Sequence, residues 1–403
     1  MSDQLLIPQK KLGKKGLIFL IFLLNMTGPI STDMYLAAFP TLLKEFNTDA
    51  SMLNLTLVGF FISFAIGMLF IGPLSDKIGR KPILLSGIFV YGLSSLLCSF
   101  ATSIELLIFF RITQALGAGG MVSVSTAMIK DTFSDEDRPK IIATLQMLGV
   151  FAPTIAPLIG AQIIKYSTWE VTFYVLAVLS ILSFTISLFV TETLKKEKRL
   201  KGNVLESIFS LKTIIVNKPF MLFLVAMGGT SIIYMSFLAV SSYVYIEWFK
   251  LSGTEYSLFF AANSLLLIIG PNVYLYLRNK VMPKQIIKFT FTLIIIAAFL
   301  IIFVGKYSPY LFLLTFFPIT FSNSFLRSFS SNILLGQKNM NAGAASSVIN
   351  FSNTTLGSLG MVIGSIGWSN YVVGIGYTAL IAMCISVTCW MIFLKRGFKL
   401  NGI

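Results

Sequence analysis

The sequence predicts an all-α polytopic membrane protein, with twelve transmembrane helices arranged as two six-helix, pseudo-symmetric bundles. Three observations predict it. Of the 403 residues, 56% are hydrophobic and only 12% are charged, about half the share of a soluble domain. Apolar stretches of about 20 residues, enough to span the hydrocarbon core, recur twelve times. A Gly-Pro-Arg pattern at the end of the second stretch returns 198 residues later. This composition excludes an ordinary soluble enzyme, a disordered chain and a disulfide scaffold.

The candidate spans run, in order, over about 16–38, 52–74, 81–100, 104–129, 141–164 and 169–191. After a polar break they resume at about 217–244, 255–277, 285–304, 309–333, 342–366 and 370–394. The first is not a cleaved signal peptide, because it ends in a polar, Asp-bearing segment and lacks a small-residue cleavage site. The break, TETLKKEKRLKGNVLESIFSLKTII, is Lys-rich and near the midpoint. It divides the chain into an N-terminal bundle (1–191), a cytoplasmic linker (192–216) with room for a short interfacial helix, and a C-terminal bundle (217–403).

Net charge is +15. Such an excess in a soluble chain points to nucleic acid, but its distribution here points to topology. With the N-terminus inside, cytoplasmic segments hold 25 of the 31 Lys and Arg, the outer loops hold four, and two lie inside spans. Positive residues collect on the cytoplasmic side, so both termini are expected in the cytoplasm. Cys98, Cys384 and Cys389 sit in apolar runs without metal spacing and are expected as small buried hydrophobes.

The ends of spans 2 and 8 share Gly, Pro and Arg at equal offsets: Gly72-Pro73 with Arg80, and Gly270-Pro271 with Arg278. Parallel internal repeats of this kind are typical of duplicated transporters. The first copy continues as Gly72-Pro73-Leu74-Ser75-Asp76-Lys77-Ile78-Gly79-Arg80-Lys81-Pro82. Gly72 permits close helix approach. Asp76 can pair with Arg80, and Asp131 at the end of span 4 can complete a charge cluster. This G-x-L-S-D-x-x-G-R-K-P string resembles the signature loop of the major facilitator superfamily. The resemblance implies a gating latch built from Gly72, Asp76, Gly79, Arg80 and Asp131.

Of the 16 acids, only Asp33 falls clearly inside a span. An intramembrane carboxylate is costly and marks a functional candidate. The clear intramembrane cation is Arg111. Both lie roughly 10 Å below the outer edge, at about 1.5 Å per residue. Gln114 shares the Arg111 helix face by i, i+3 spacing. Arg111-Ile112-Thr113-Gln114-Ala115-Leu116-Gly117 resembles the superfamily's R-x-x-Q-x-x-G motif, associated with proton coupling. Span 5 carries Gly149, Pro153, Pro157 and Gly160. That spacing kinks a helix and allows tight packing, and it resembles the superfamily's antiporter motif.

Span 1 ends Thr32-Asp33-Met34-Tyr35-Leu36-Ala37-Ala38-Phe39-Pro40. This string resembles the Bcr/CflA branch of drug:H+ antiporters. The resemblance implies the major facilitator fold and a bacterial inner-membrane exporter. Asp33 would be the proton or cation carrier and Arg111 its partner. Some relatives carry a second carboxylate two turns before the span 1 Asp; here that position is Asn25. Substrate-cavity candidates are Asn25, Tyr35, Gln114, Tyr234 and Asn323. Arg327 in span 10 can either snorkel to the inner surface or serve a gating or substrate role.

There is no histidine, so a proton carrier near neutral pH has to be a carboxylate. No G-x-x-x-x-G-K-[ST] string for a nucleotide occurs. The sequence therefore reads as a proton-coupled efflux transporter of small amphipathic solutes, or else of a specific metabolite such as an amino acid, peptide or siderophore. It does not read as an enzyme. The expected partners are a small-molecule solute, protons and membrane lipid. No cofactor, metal or nucleic acid is expected, and the chain is expected to act as a monomer.

Overall fold

Short polar side chains and prolines set where the helices begin. Ser103 Oγ accepts the Leu106 N–H, Asn217 Oδ1 accepts that of Phe220, and Asn370 Oδ1 accepts those of Val372 and Val373. Ser252 and Glu255 satisfy each other's backbone donors in a capping box. Proline opens the helices that start at Lys218, Pro283 and Pro309, where its missing N–H costs nothing.

The computed structural model describes residues 5–134, 137–199, 211–337 and 342–403, apart from the side chains at 139–140, 142–151, 153, 198 and 342–343. Among them, the first half of the chain forms α1 (Gly13–Leu36), a short α2 (Phe39–Glu45), α3 (Ala50–Ile78), α4 (Arg80–Cys98), α5 (Ile104–Thr132), α6 (Arg138–Tyr166) and α7 (Glu170–Leu188). The second half forms α8 (Lys218–Ser242), α9 (Gly253–Leu277), α10 (Pro283–Phe303), α11 (Pro309–Leu335), α12 (Ala342–Ser365) and α13 (Tyr371–Lys395). Twelve of these have 19 residues or more, and their ends fall within a few residues of the sequence expectation. Among the described residues, ten are long and apolar enough to cross a membrane. The short α2 and the π-helical turn Tyr243–Trp248 that closes α8 were not expected. The expected interfacial linker helix falls mostly at 200–210, outside the described residues.

The chain divides into two compact units, one of residues 1–48 and 55–208, the other of 49–54 and 209–403. Each unit uses the same packing scheme. In the first, α1 packs on α5, α6 and α7, and α4 packs on α5 and α7. In the second, α8 packs on α11, α12 and α13, and α10 packs on α11 and α13. The glycine contacts repeat too. A methyl group at Gly72 would sit 2.6 Å from Ser123 Oγ, and one at Gly270 would run into Ser324 Oγ. Gly160 lies against the Met34 carbonyl, and Gly360 against that of Ile232. The duplication visible in the two Gly-Pro-Arg strings is thus accompanied by matching close glycine approaches between equivalent helices.

Large apolar side chains cover the outside of both units: Phe89 is 60% exposed, Ile181 66%, Phe289 66% and Leu314 60%. Patches this extensive mark a surface that meets something other than water, and around long apolar helices that is lipid. Cys98 is buried as expected, whereas Cys384 is exposed on α13, where a thiol behaves as one more small lipid-facing group.

Candidate functional site

Arg111 comes from the first third of α5, seven residues after Ile104, and is fully buried. Its Nη1 donates to the Ser31 carbonyl of α1 at 3.1 Å and to Gln114 Oε1 one turn away at 2.7 Å. Three aromatic rings enclose the guanidinium. Its carbon lies 4.3 Å from the ring centre of Phe60 (α3), 5.0 Å from Tyr35 (α1) and 5.9 Å from Phe173 (α7). A planar guanidinium suits this cage, because its faces stack on rings while its edge donates hydrogen bonds.

Gln114 Nε2 donates to Ser95 Oγ of α4 at 2.7 Å, Ser95 Oγ donates to the Tyr91 carbonyl, and the Tyr91 and Ser31 hydroxyls meet at 2.6 Å. A closed polar circuit therefore links α1, α4 and α5 inside an otherwise apolar bundle. Among the described residues, Arg111 Nε and Nη2 have no hydrogen-bond partner.

Asp33 is 5% exposed, two residues beyond Ser31, and its Oδ1 accepts the Thr32 hydroxyl at 3.1 Å. Among the described residues no ion pair joins Asp33 to Arg111 or to any other cation. The guanidinium does not pair directly with the carboxylate in this structure. Backbone carbonyl, amide and rings hold the guanidinium, which leaves the carboxylate without a bound cation. On the other side, Gly160 of α6 lies against the Met34 carbonyl, next in sequence to Asp33. Pro157 sits one turn earlier, while the side chains of Gly149 and Pro153 lie outside the described residues.

The cavity candidates of the first unit are engaged within it. Tyr35 is 1% exposed and donates to Thr56 Oγ1 at 3.3 Å. Asn25 Nδ2 donates to Ser125 Oγ of α5 at 3.1 Å and to the Ile21 carbonyl at 2.8 Å. Tyr234 (8% exposed) and Asn323 (7%) belong to the second unit, on α8 and α11. There Asn263 Oδ1 accepts the Thr320 hydroxyl at 2.7 Å.

At the other end of the first unit, Arg80 Nη2 meets Asp76 Oδ1 at 2.6 Å, Nε meets Asp131 Oδ2 at 2.9 Å, and Nη1 donates to Ser75 Oγ at 2.6 Å. Gly72, Asp76, Arg80 and Asp131 thus come together, with Gly79 between α3 and α4 at φ +124°. A side chain there would be strained and would sit 2.6 Å from Glu192 Oε2. Sequence reasoning missed Glu192. Its carboxylate accepts the Arg80 N–H at 2.9 Å and the Lys81 N–H at 3.2 Å, capping a positive helix start, and it faces Arg199 at 3.8 Å. The signal was an acid at the head of a Lys-rich segment. Gln9 was also missed: it exchanges two hydrogen bonds with the Thr191 backbone, at 3.2 and 2.9 Å.

A family model for the Major Facilitator Superfamily matches residues 21–365. The chain belongs to that superfamily and is a multi-pass membrane transporter, not an enzyme. Its relatives include an uncharacterized MFS-type transporter, YdgK, of Bacillus subtilis, 28% identical over 91% of this chain and 90% of that one. A bicyclomycin resistance protein homolog of Haemophilus influenzae is 30% identical, covering 64% of this chain and 65% of that one. The multidrug resistance protein MdtL of Salmonella heidelberg is 25% identical over 86% and 87% of the two chains. Among solved structures, a bacterial homolog of the human lysosomal transporter Spinster superposes with a TM-score of 0.75 at 12% identity, covering 95% of this chain and 97% of that one. A D-xylose-proton symporter gives 0.72 at 13%, covering 93% and 96%. These two likenesses establish the fold.

Proposed function

We propose that the chain is a proton-coupled efflux transporter, a drug:H+ antiporter that exports small amphipathic solutes by alternating access. One observation carries the reading: a carboxylate, Asp33, buried in a membrane helix with no cation bound to it among the described residues. Such a group can take up and release a proton, whereas one locked in an ion pair cannot do so cheaply. The bicyclomycin-resistance and MdtL relatives support drug efflux as the direction and cargo.

In this reading, residues 1–191 and 217–403 are the two moving halves and 192–216 tethers them. Asp33 takes a proton from the outside and releases it inside. Arg111, fixed by its cage, sets the electrostatic field at α1 and holds Gln114 and Tyr35 in place. The Asp76–Arg80–Asp131 cluster acts as the latch of one state, and the close approach at Gly160 keeps α1 and α6 moving as one body. The chain works as a monomer in the bacterial inner membrane, with both termini in the cytoplasm.

Asn25 favours a second reading, export of a specific metabolite. Where a second carboxylate would serve cationic drugs, this chain has an amide bonded to Ser125.

Inverted membrane vesicles energised with a proton gradient and supplied with a panel of labelled solutes test the proposal. The wild type is expected to accumulate solute, and Asp33→Asn to insert normally and accumulate none. Gradient-driven accumulation by Asp33→Asn at the wild-type rate would falsify the coupling.

A further inference from the structure

Arg327 has no part in the network around Arg111. Among the described residues of 217–403 it is the one cation deep inside a helix, 18 residues after Pro309 and eight before Leu335. The others lie within six residues of a helix end or between helices. That stretch holds only two side-chain carboxylates, Glu247 and Glu255. Glu247 lies in the turn that closes α8, and Glu255 is engaged by Ser252 at the start of α9. Both are at the end where α11 begins, far from Arg327. Among the described residues no ion pair reaches Arg327.

The lean of side chains along a helix argues against a lipid-surface role. Two aromatic contacts fix α8 and α11 in register: Phe237 stacks on Phe316 at 4.3 Å, and Phe223 meets Phe329 at 6.3 Å. On that scale Tyr234 lies about eight residues, or about 12 Å, farther than Arg327 from the nearer end of α11. Helical side chains lean toward their own N-terminus. Because the two helices run antiparallel, Arg327 leans up toward Tyr234 and Tyr234 leans down toward Arg327. The two interact electrostatically. A snorkelling arginine would have to bend the other way.

Arg327 is exposed on its unit. It shares a helix face with Thr320, Asn323 and Ser324, not with the apolar stripe of Tyr310 and Leu314, which are 68% and 60% exposed. Asn323 stands one turn nearer the Tyr234 level. A guanidinium and an amide one turn apart on α11, with a phenol on α8 toward which the arginine leans, make a donor set matched to an oxyanion.

We infer that Arg327, with Asn323 and Tyr234, recognises an anionic group, a carboxylate or phosphate, on the exported solute. The inference rests on the efflux reading above and narrows its cargo to anionic amphiphiles.

Fluorescence anisotropy of detergent-solubilised full-length protein tests it with two xanthene dyes, anionic carboxyfluorescein and cationic rhodamine 6G. Carboxyfluorescein is expected to bind more tightly, and benzoate, but not benzamide, to displace it. Arg327→Gln should weaken carboxyfluorescein binding about tenfold or more with an unchanged melting midpoint. Arg327→Lys should recover part of the affinity. The inference is overturned if the wild type does not bind carboxyfluorescein, if Arg327→Gln binds it equally well, or if phosphatidylglycerol displaces it and benzoate does not, which would assign the cluster to lipid. Binding needs no gradient, so a wild type that binds the anion through Arg327 but moves nothing in vesicles refutes efflux alone.

Discussion

Arg111 donates to the backbone carbonyl of Ser31, two residues before Asp33, and not to the Asp33 carboxylate. The cation of α5 is thereby anchored to α1 independently of the charge state of the carboxylate beside it. A change of charge at Asp33 therefore does not by itself release the arginine.

Stability should follow this division. Asp33→Asn is expected to leave the melting midpoint of the purified protein close to that of the wild type. Gln114→Leu strips Arg111 of its 2.7 Å acceptor and leaves the Ser95 hydroxyl short of a partner. Buried donors left unmade cost about 1–3 kcal/mol each, so Gln114→Leu should melt clearly lower. The reverse ranking would show that Asp33 and Arg111 do pair.

At Gly160 the test is steric. Any Cβ there meets the Met34 carbonyl, a backbone atom that cannot turn aside. Gly160→Ala is expected to destabilise the protein by about 1–3 kcal/mol and Gly160→Val by more, with efflux falling in the same order. Wild-type melting in Gly160→Val would mean that α1 and α6 do not approach this closely.

Glu192 offers a test at the far end of the first unit. Glu192→Ala removes both acceptors at the start of α4, a loss comparable with that of a helix cap, about 0.5–2 kcal/mol. Glu192→Gln, which keeps an oxygen toward the Arg80 N–H, should lose less. Chemical denaturation of the three proteins would rank them, and equal midpoints would remove Glu192 from the account.

The pH dependence of solute binding carries the coupling prediction. If proton and solute compete, the wild type should bind solute more weakly as pH falls, because the proton-loaded form of Asp33 excludes it. With no histidine in the chain, no side chain has an ordinary titration range near neutrality, and among the described residues the carboxylate buried inside a span is Asp33. Asp33→Asn should therefore show a flat profile between about pH 5 and 8, measured by equilibrium binding. A sloping profile in that variant would place the titrating group elsewhere.

The twelve long helices were legible because length and apolarity are local properties, and the repeat because glycine and proline mark close approach at both Gly72 and Gly270. Gln114 was legible because it lies one turn from Arg111. The cage was not: Phe60 and Phe173 come from other helices and look like any lipid-facing phenylalanine until packing brings them over the guanidinium. Asp33 and Arg111 sit at similar depth, and opposite charges at one depth invited a pairing that a better-placed carbonyl and amide pre-empted. Glu192 was hidden by its neighbours, since an acid in a Lys-rich break reads as part of a solvated linker.

The two hydrogen bonds between Gln9 and the Thr191 backbone join residues 182 positions apart. They tie the segment ahead of the first span to the exit of the sixth, and with Glu192 and Arg199 just beyond it, the contacts described for the first unit are available once the ribosome has passed residue 199. Domains made in this order complete themselves before the next is synthesised. The second half of this transporter therefore enters the membrane beside a finished neighbour, and a chain interrupted in the linker should leave behind a folded half-protein, not a tangle of spans.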